Sequence, residues 1–205
     1  GTYEKHITLS MAKELKELLD KNDKYKVYLT RNRDVFIPLR DRVKISRKHD
    51  ADLFISIHAD SAKNKKAVGL SVYTLSETAS DKEAAALAEK ENKADIVAGL
   101  NFAEHSKEVS DILLNLAQRE TNNSSAEFAT LLSAQMAKIV KTVSNTHRFA
   151  GFAVLKAPDV PSVLMELGYL SNPAEERQLK QKSYRRKLAE ACVKAVDKYF
   201  QNPKH

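Results

Sequence analysis

His58 closes the run Leu53-Phe54-Ile55-Ser56-Ile57-His58 and is followed by Ala59-Asp60. The run is short and nearly continuous in its apolar character, as a strand buried on both faces requires. In open α/β sheets ligands bind at the carboxyl ends of strands, so an imidazole there is either a satisfied structural group or one that faces a site. Glu166 poses the sharper question, because it interrupts Val163-Leu164-Met165 and Leu167 in a second apolar run. Burying an unpaired carboxylate is costly, so such a residue is held in an ion pair, associated with a metal or used in chemistry. A carboxylate with a raised pKa at a strand end suits general-base work on a water. Glu4 stands at the start of the first amphipathic segment, where an acid interacts favourably with a helix dipole. An imidazole nitrogen and a carboxylate oxygen are common ligands of a catalytic zinc, and a further Glu can shuttle the proton of a zinc-activated water. These residues lie far apart in the chain and form no local metal signature, so at this level structural roles for each stay open.

The elements that must position them alternate in type. Leu9, Ala12, Leu15, Leu18 and Leu19 fall at helical spacing and predict a first helix. Lys26-Val27-Tyr28-Leu29-Thr30 predicts a strand, and Leu39, Val43 and Ile45 after Pro38 a second helix. Strands follow at 53–58 and, after Gly69, at Leu70-Ser71-Val72-Tyr73-Thr74. From about residue 80 to 140, Ala, Leu, Glu and Lys dominate and strand signals vanish. This stretch predicts two or three helices, broken near Gly99-Leu100-Asn101 and near Thr121-Asn122-Asn123-Ser124-Ser125. Strands return at Phe152–Leu155 and Ser162–Leu167; Pro173 opens a short helix, and Leu188, Cys192, Val196 and Phe200 mark a last one. The alternation predicts an α/β fold: a mostly parallel twisted sheet flanked by helices, with a helical insertion between strands.

Length, charge and cysteine usage narrow the classes. The 205 residues suit one domain with a full core. The net charge of +7 fits a solvated surface or a weak attraction to a polyanion. Basic residues are dispersed among acids, with no arginine-rich arm and no RNA-binding aromatic signature, which argues against nucleic acid as partner. No apolar run is long enough to span a membrane. The single cysteine, Cys192, lies in a helical apolar pattern and is expected to be a buried thiol.

Longer motifs then add a resemblance. Glu4-Lys5, Leu29-Thr30-Arg31 with Asp34, Leu39-Arg40-Asp41-Arg42, the stretch Ala51–Asp60 and the stretch Pro161–Asn172 resemble, in order, the zinc-dependent N-acetylmuramoyl-L-alanine amidases of the cell-division type. The resemblance implies that Glu4 and His58 bind zinc and that Glu166 is catalytic. A first zinc-binding His, in an Asp-x-Gly-His-Gly-Gly segment, would fall just before Gly1, so the chain is expected to be a single catalytic domain (1–205) whose first strand lies upstream. His6, His49, His105 and His147 do not stand in that motif. The resemblance also implies an autoinhibitory helix in the insertion, over about Ser80–Asn92, with Glu91 as the plug on the metal and Glu89 as the second choice. It further implies a peptidoglycan substrate and a periplasmic monomer that acts in cell division. An activator protein with a degenerate metallopeptidase domain would open it. The alternatives are a non-catalytic wall-binding domain of the same fold and a zinc peptidase of related architecture. Asn172, Arg31 and Arg33 carry no specific role at this level.

Overall fold

The sheet is made by four strands, β1 (Phe54–His58), β2 (Leu70–Leu75), β3 (Thr142–Ala150) and β4 (Ser162–Glu166), in the order β1-β4-β2-β3. β1 runs parallel to β4 and β2 parallel to β3, while β2 and β4 are antiparallel. The helices are α1 (Glu4–Leu19), α2 (Leu39–Lys48), α3 (Lys82–Asn92), α4 (Ala94–Val97), α5 (Ile112–Met136), α6 (Pro173–Lys180) and α7 (Lys182–Phe200). This computed structural model describes residues 1–62, 64–99 and 112–205, the stretch 112–117 by its backbone alone. His105 and the helical break expected at residues 100 and 101 lie outside the described residues.

Strand alternation divides the core into two layers. Val163 and Met165 of β4, with Val72 of β2, pack against Met11 of α1, Phe128 and Leu132 of α5, and Leu188 and Cys192 of α7. Leu164 and Tyr73 point the other way, onto Leu39, Phe152 and the Ala84–Ala88 face of α3. Side chains two apart share a face. His58 therefore lies on the same face as Phe54, and Glu166 on the face of Leu164, the side covered by α2 and α3. Ile7, Met11, Leu15 and Leu19 form the buried stripe of α1, one turn apart; Leu15 and Leu19 stand among the residues that the apolar pattern singled out, while Leu9, Ala12 and Leu18 are only partly buried.

Four local expectations are corrected. Lys26–Thr30 forms no strand. Strand character needs a ladder partner, and a cleft of about 1250 Å³ lies between this stretch and β1. Phe152–Leu155 is not a strand; Ala153–Leu155 is a short 3-10 turn whose apolar side chains fill the second layer. The strand missing from the sequence reading is β3. Its half-exposed, polar stretch carries little hydrophobic pattern and is held by its ladder with β2. The polar cluster at 121–125 does not break α5 either. Ser125 Oγ donates back to Thr121 O (2.8 Å) and accepts the Ser162 N–H (2.9 Å), and Thr121 Oγ1 donates to Pro158 O (2.8 Å). The hydroxyls that favour turns elsewhere are here spent within the helix and on the start of β4.

Gly69 enters β2 with φ of 109°, and a Cβ there would stand 2.9 Å from both Thr142 C and Val143 N of β3. Both the left-handed backbone and the close strand demand glycine. Gly69→Ala is expected to destabilise the domain by roughly 1–3 kcal/mol, since neither backbone can yield. A urea unfolding curve checks it: an unchanged midpoint would show that β3 relaxes freely.

Cys192 is fully buried, and burial pushes its thiol from 9.0 up to about 12. The folded thiol thus stays protonated at pH 8 and should resist aromatic disulfide reagents until urea unfolds the chain. Its linkage sign follows. The stability tied to this thiol is complete below pH 9 and is lost as pH climbs toward 12, where the unfolded chain ionises first. Tyr25, whose hydroxyl donates to Asp197 (2.8 Å) and is also raised to about 12, by burial and then by that hydrogen bond, acts in the same direction. A Cys192→Ala variant with a flatter decline in stability above pH 9 would verify the thiol's share.

Candidate active site

β1 and β4 are registered so that Phe54 faces Ser162 and His58 faces Glu166. Two apolar runs that must lie side by side to bury themselves thus bring their terminal polar residues together at the carboxyl end of the sheet. α1 begins at the same end: Glu4 accepts the Ala59 N–H at its Oε1 (3.0 Å), and that oxygen lies 3.2 Å from His58 Nδ1. From the opposite side α3 presents Glu91, whose Oε2 also lies 3.2 Å from His58 Nδ1. His58 is 8% exposed and Glu166 0%. The other ring nitrogen, Nε2, meets Ser56 Oγ at 3.1 Å.

Glu166 Oε1 accepts the Asp60 N–H (2.8 Å), while its Oε2 is buried without a hydrogen-bond partner. Burial raises the pKa of this carboxyl well above the usual range, and His58 only partly opposes it. Burial also works to raise Glu4, but the hydrogen bond and charge of His58, the Ala59 N–H and Lys90 together leave it lowered. One buried carboxyl thus favours holding a proton while its neighbour favours charge, the division expected of a proton carrier beside a ligand.

His58 Nδ1 is a buried atom that lies between two carboxylate oxygens yet makes a well-formed hydrogen bond to neither. Such an atom calls for a positive charge between it and the oxygens, either a proton on the ring or a cation. Among the described residues no three or more His, Cys, Asp or Glu side chains already stand as a metal cage. The nitrogen of His58 and the oxygen of Glu4 nevertheless have the donor types of a zinc site and converge on one point. Glu91 Oε2 reaches the same point from α3.

A family model described as N-acetylmuramoyl-L-alanine amidase matches residues 1–198. The chain belongs to this amidase family. It is 42% identical to the N-acetylmuramoyl-L-alanine amidase AmiA of Salmonella typhimurium over 98% of its own length and 69% of that protein's. With the N-acetylmuramoyl-L-alanine amidase AmiC of Neisseria meningitidis it shares 39% identity over 98% of its own length and 48% of the relative's. Its fold is similar to that of the CwlD amidase from Clostridioides difficile, solved in complex with the GerS lipoprotein, at TM-score 0.69 and 22% identity, covering 98% of this chain and 88% of that one. The expected family and the expected mostly parallel α/β architecture are thus both found.

Within this amidase fold the remaining candidates fall into clear places. Glu89 is 70% exposed at its side chain and pairs with Lys93 on the outer face of α3 (2.6 Å), whereas Glu91 is 16% exposed and turned inward. α3 is strapped down at both ends. Asp81 caps it by accepting the Ala84 N–H (2.9 Å) and pairs with Arg148 of β3 (3.3 Å). At the far end Asn92 donates to Gly151 O (2.8 Å) and accepts the Ala153 N–H (2.7 Å), and buried Asp95 accepts the Leu39 N–H (3.0 Å). Asn172 caps α6, and Arg31 ties the 31–34 loop to Lys5 O of α1 (2.7 Å). No contact of Arg33 with the cluster stands among the described interactions beyond its carbonyl, which receives Arg31 (3.3 Å). His6 lies at Asp34, His49 stacks on Tyr28, and His147 meets Thr74. Two residues passed over by the sequence reading stand at the site: Asp60, 5% exposed, and Lys90, whose ammonium contacts the Asp60 carboxylate. The signal for Asp60 was its place two residues beyond His58; Lys90 offered none, being one of many lysines on an exposed helix.

Proposed function

We propose that this chain hydrolyses the amide between N-acetylmuramic acid and L-alanine in peptidoglycan, using a zinc-activated water, and that α3 holds it inactive until a partner displaces the helix. The convergence of Glu4, His58 and Glu166 at one end of β1 and β4 carries the reading. A zinc ion held by Glu4 and His58 would lower the pKa of a water and polarise the scissile carbonyl. Glu166 would accept a proton from the attacking water at its unpartnered Oε2 and return it to the departing nitrogen. The Asp60 N–H keeps the Glu166 carboxyl oriented throughout, because it binds the oxygen that does not react. The sheet floor excludes bulk water from Glu166, which keeps its proton affinity high.

Glu91, seated against His58, is assigned as the plug and Lys90 as its neighbouring latch. Residues 1–205 are assigned as one catalytic domain, with the helical region at about 80–140 carrying the regulatory segment. An activator protein with a degenerate metallopeptidase domain, acting in the periplasm during cell division, is assigned as the partner that opens the cleft. The CwlD amidase bound to a lipoprotein supports the idea that amidases of this fold engage protein partners. Opening by such a partner needs only a few kcal/mol of differential binding to the two states of the helix.

The test is product analysis of purified sacculi. The protein used is extended upstream through the expected His-bearing strand, with residues 80–99 exchanged for a short linker and the helix-bearing form as reference. Release of intact stem peptides that stops when zinc is chelated, and is slower with the helix in place, is the expected result. No release from a folded, zinc-loaded protein would overturn the catalytic reading.

A further inference from the structure

We propose that Asp60 is the binding site for the ammonium group of the departing amine, and that α3 closes the cleft as a mimic of both reaction products. The inference rests on the amidase reading above. Hydrolysis of an amide consumes one water. The C–N bond breaks, a C–O bond forms, and at neutral pH the products are a carboxylate and an ammonium. α3 offers the same two groups on adjacent residues: the Glu91 carboxylate against His58 and the Lys90 ammonium on Asp60.

The place of Asp60 is built for a cation. Its side chain is 7% exposed and belongs to the residue whose own N–H orients Glu166. Its backbone is fixed on both sides, since Asp60 O also accepts the Leu170 N–H (2.7 Å). Beyond Lys90, the carboxylate accepts only the Ser61 N–H (2.5 Å) among the described contacts. Removing α3 therefore leaves this carboxylate without the counter-charge of Lys90, beside the residue that hands a proton to the leaving nitrogen. A carboxylate and an ammonium make a charge-assisted contact, so a newly formed ammonium can take the place of Lys90 at the moment it appears. Lys90 itself is half-exposed, so its ammonium reaches in from outside along a path open to a ligand once the helix leaves.

The experiment is an NMR titration of the chain with L-alaninamide, a small molecule bearing a free α-ammonium. N-acetyl-L-alaninamide, which lacks the charge, and Nα-acetyl-L-lysinamide, whose amine is on the side chain, are titrated in parallel. The parent chain, with Lys90 in place, should bind none of them. Lys90→Gln, a change at a half-exposed residue, should bind L-alaninamide at Asp60 and Glu166 amide signals. Adding Asp60→Asn to Lys90→Gln should weaken that binding at least about tenfold, the loss of one charge-assisted contact. Equal binding with Asp60→Asn, equal binding of the acetylated compound, preference for the lysine side-chain amine, or no binding by Lys90→Gln would each overturn the assignment. The amide spectrum reports in the same tube whether each variant is folded. Failure of the sacculus assay alongside intact amine binding would instead remove the amidase reaction and leave the ammonium site standing.

Discussion

Glu166→Gln should lower amide hydrolysis by roughly 10²–10⁴-fold while leaving the fold intact. The carboxyl is wholly buried and its Oε1 is satisfied by the Asp60 N–H, so a carboxamide oxygen can keep that bond. What glutamine cannot do is accept and return a proton at the second position, where Oε2 is without a partner. The substitution thus separates chemistry from architecture. A structural carboxylate replaced by its isostere would cost stability and spare the rate. A proton carrier loses rate and keeps, or gains, stability, because a buried ionisable group is removed. Stem-peptide release from sacculi measures the rate, and thermal unfolding of the same samples measures the fold. A variant that matches the parent rate within twofold would exclude Glu166 as the base.

Glu91→Ala should raise the activity of the helix-bearing form by about 10–100-fold, and Glu89→Ala should leave it unchanged. A charge-assisted contact is worth roughly 1.5–3 kcal/mol, which converts to that range when it alone is lost. Glu91 Oε2 lies 3.2 Å from His58 Nδ1 inside the cleft, an ion pair once the ring or a cation between them carries charge, whereas Glu89 pairs with Lys93 in solvent, where an exposed pair contributes little. The gain should fall short of helix deletion. Asn92, Asp95 and the Asp81–Arg148 pair still anchor α3 after Glu91 is gone. Comparison of the two single variants with the helix-deleted protein on sacculi decides the matter. Equal effects of Glu89 and Glu91 would mean that the helix blocks by bulk and has no specific contact with the site.

Much of this was legible in one dimension, and the failures have a common cause. The runs ending in His58 and Glu166 were readable because a strand buried on both faces is apolar along its length, so a lone polar residue stands out. Pro173 marked the start of α6, and the helical spacing of apolar residues marked α1 and α7. β3 escaped notice because the sheet holds it chiefly through backbone bonds to β2. The cluster at 121–125 looked like a break because hydroxyl and amide side chains compete with the helix unless a neighbour occupies them, and Pro158 and Ser162 are distant in sequence. Lys26–Thr30 had the composition of a strand, but composition supplies no ladder partner.

The sequence by itself determined the alternation of apolar strands and amphipathic helices, the family, and the residues with chemistry to offer at the strand ends. Each of these follows from local pattern or from the order of motifs along the chain. Only the tertiary structure decided that His58 and Glu166 stand in register, that Glu91 and not Glu89 turns inward, and that Lys90 finds Asp60. Those outcomes depend on which surfaces meet. A helix offers its acids and lysines in every direction, and the strands, the caps of α3 and the Asn92 and Asp95 anchors fix the rotation that selects among them.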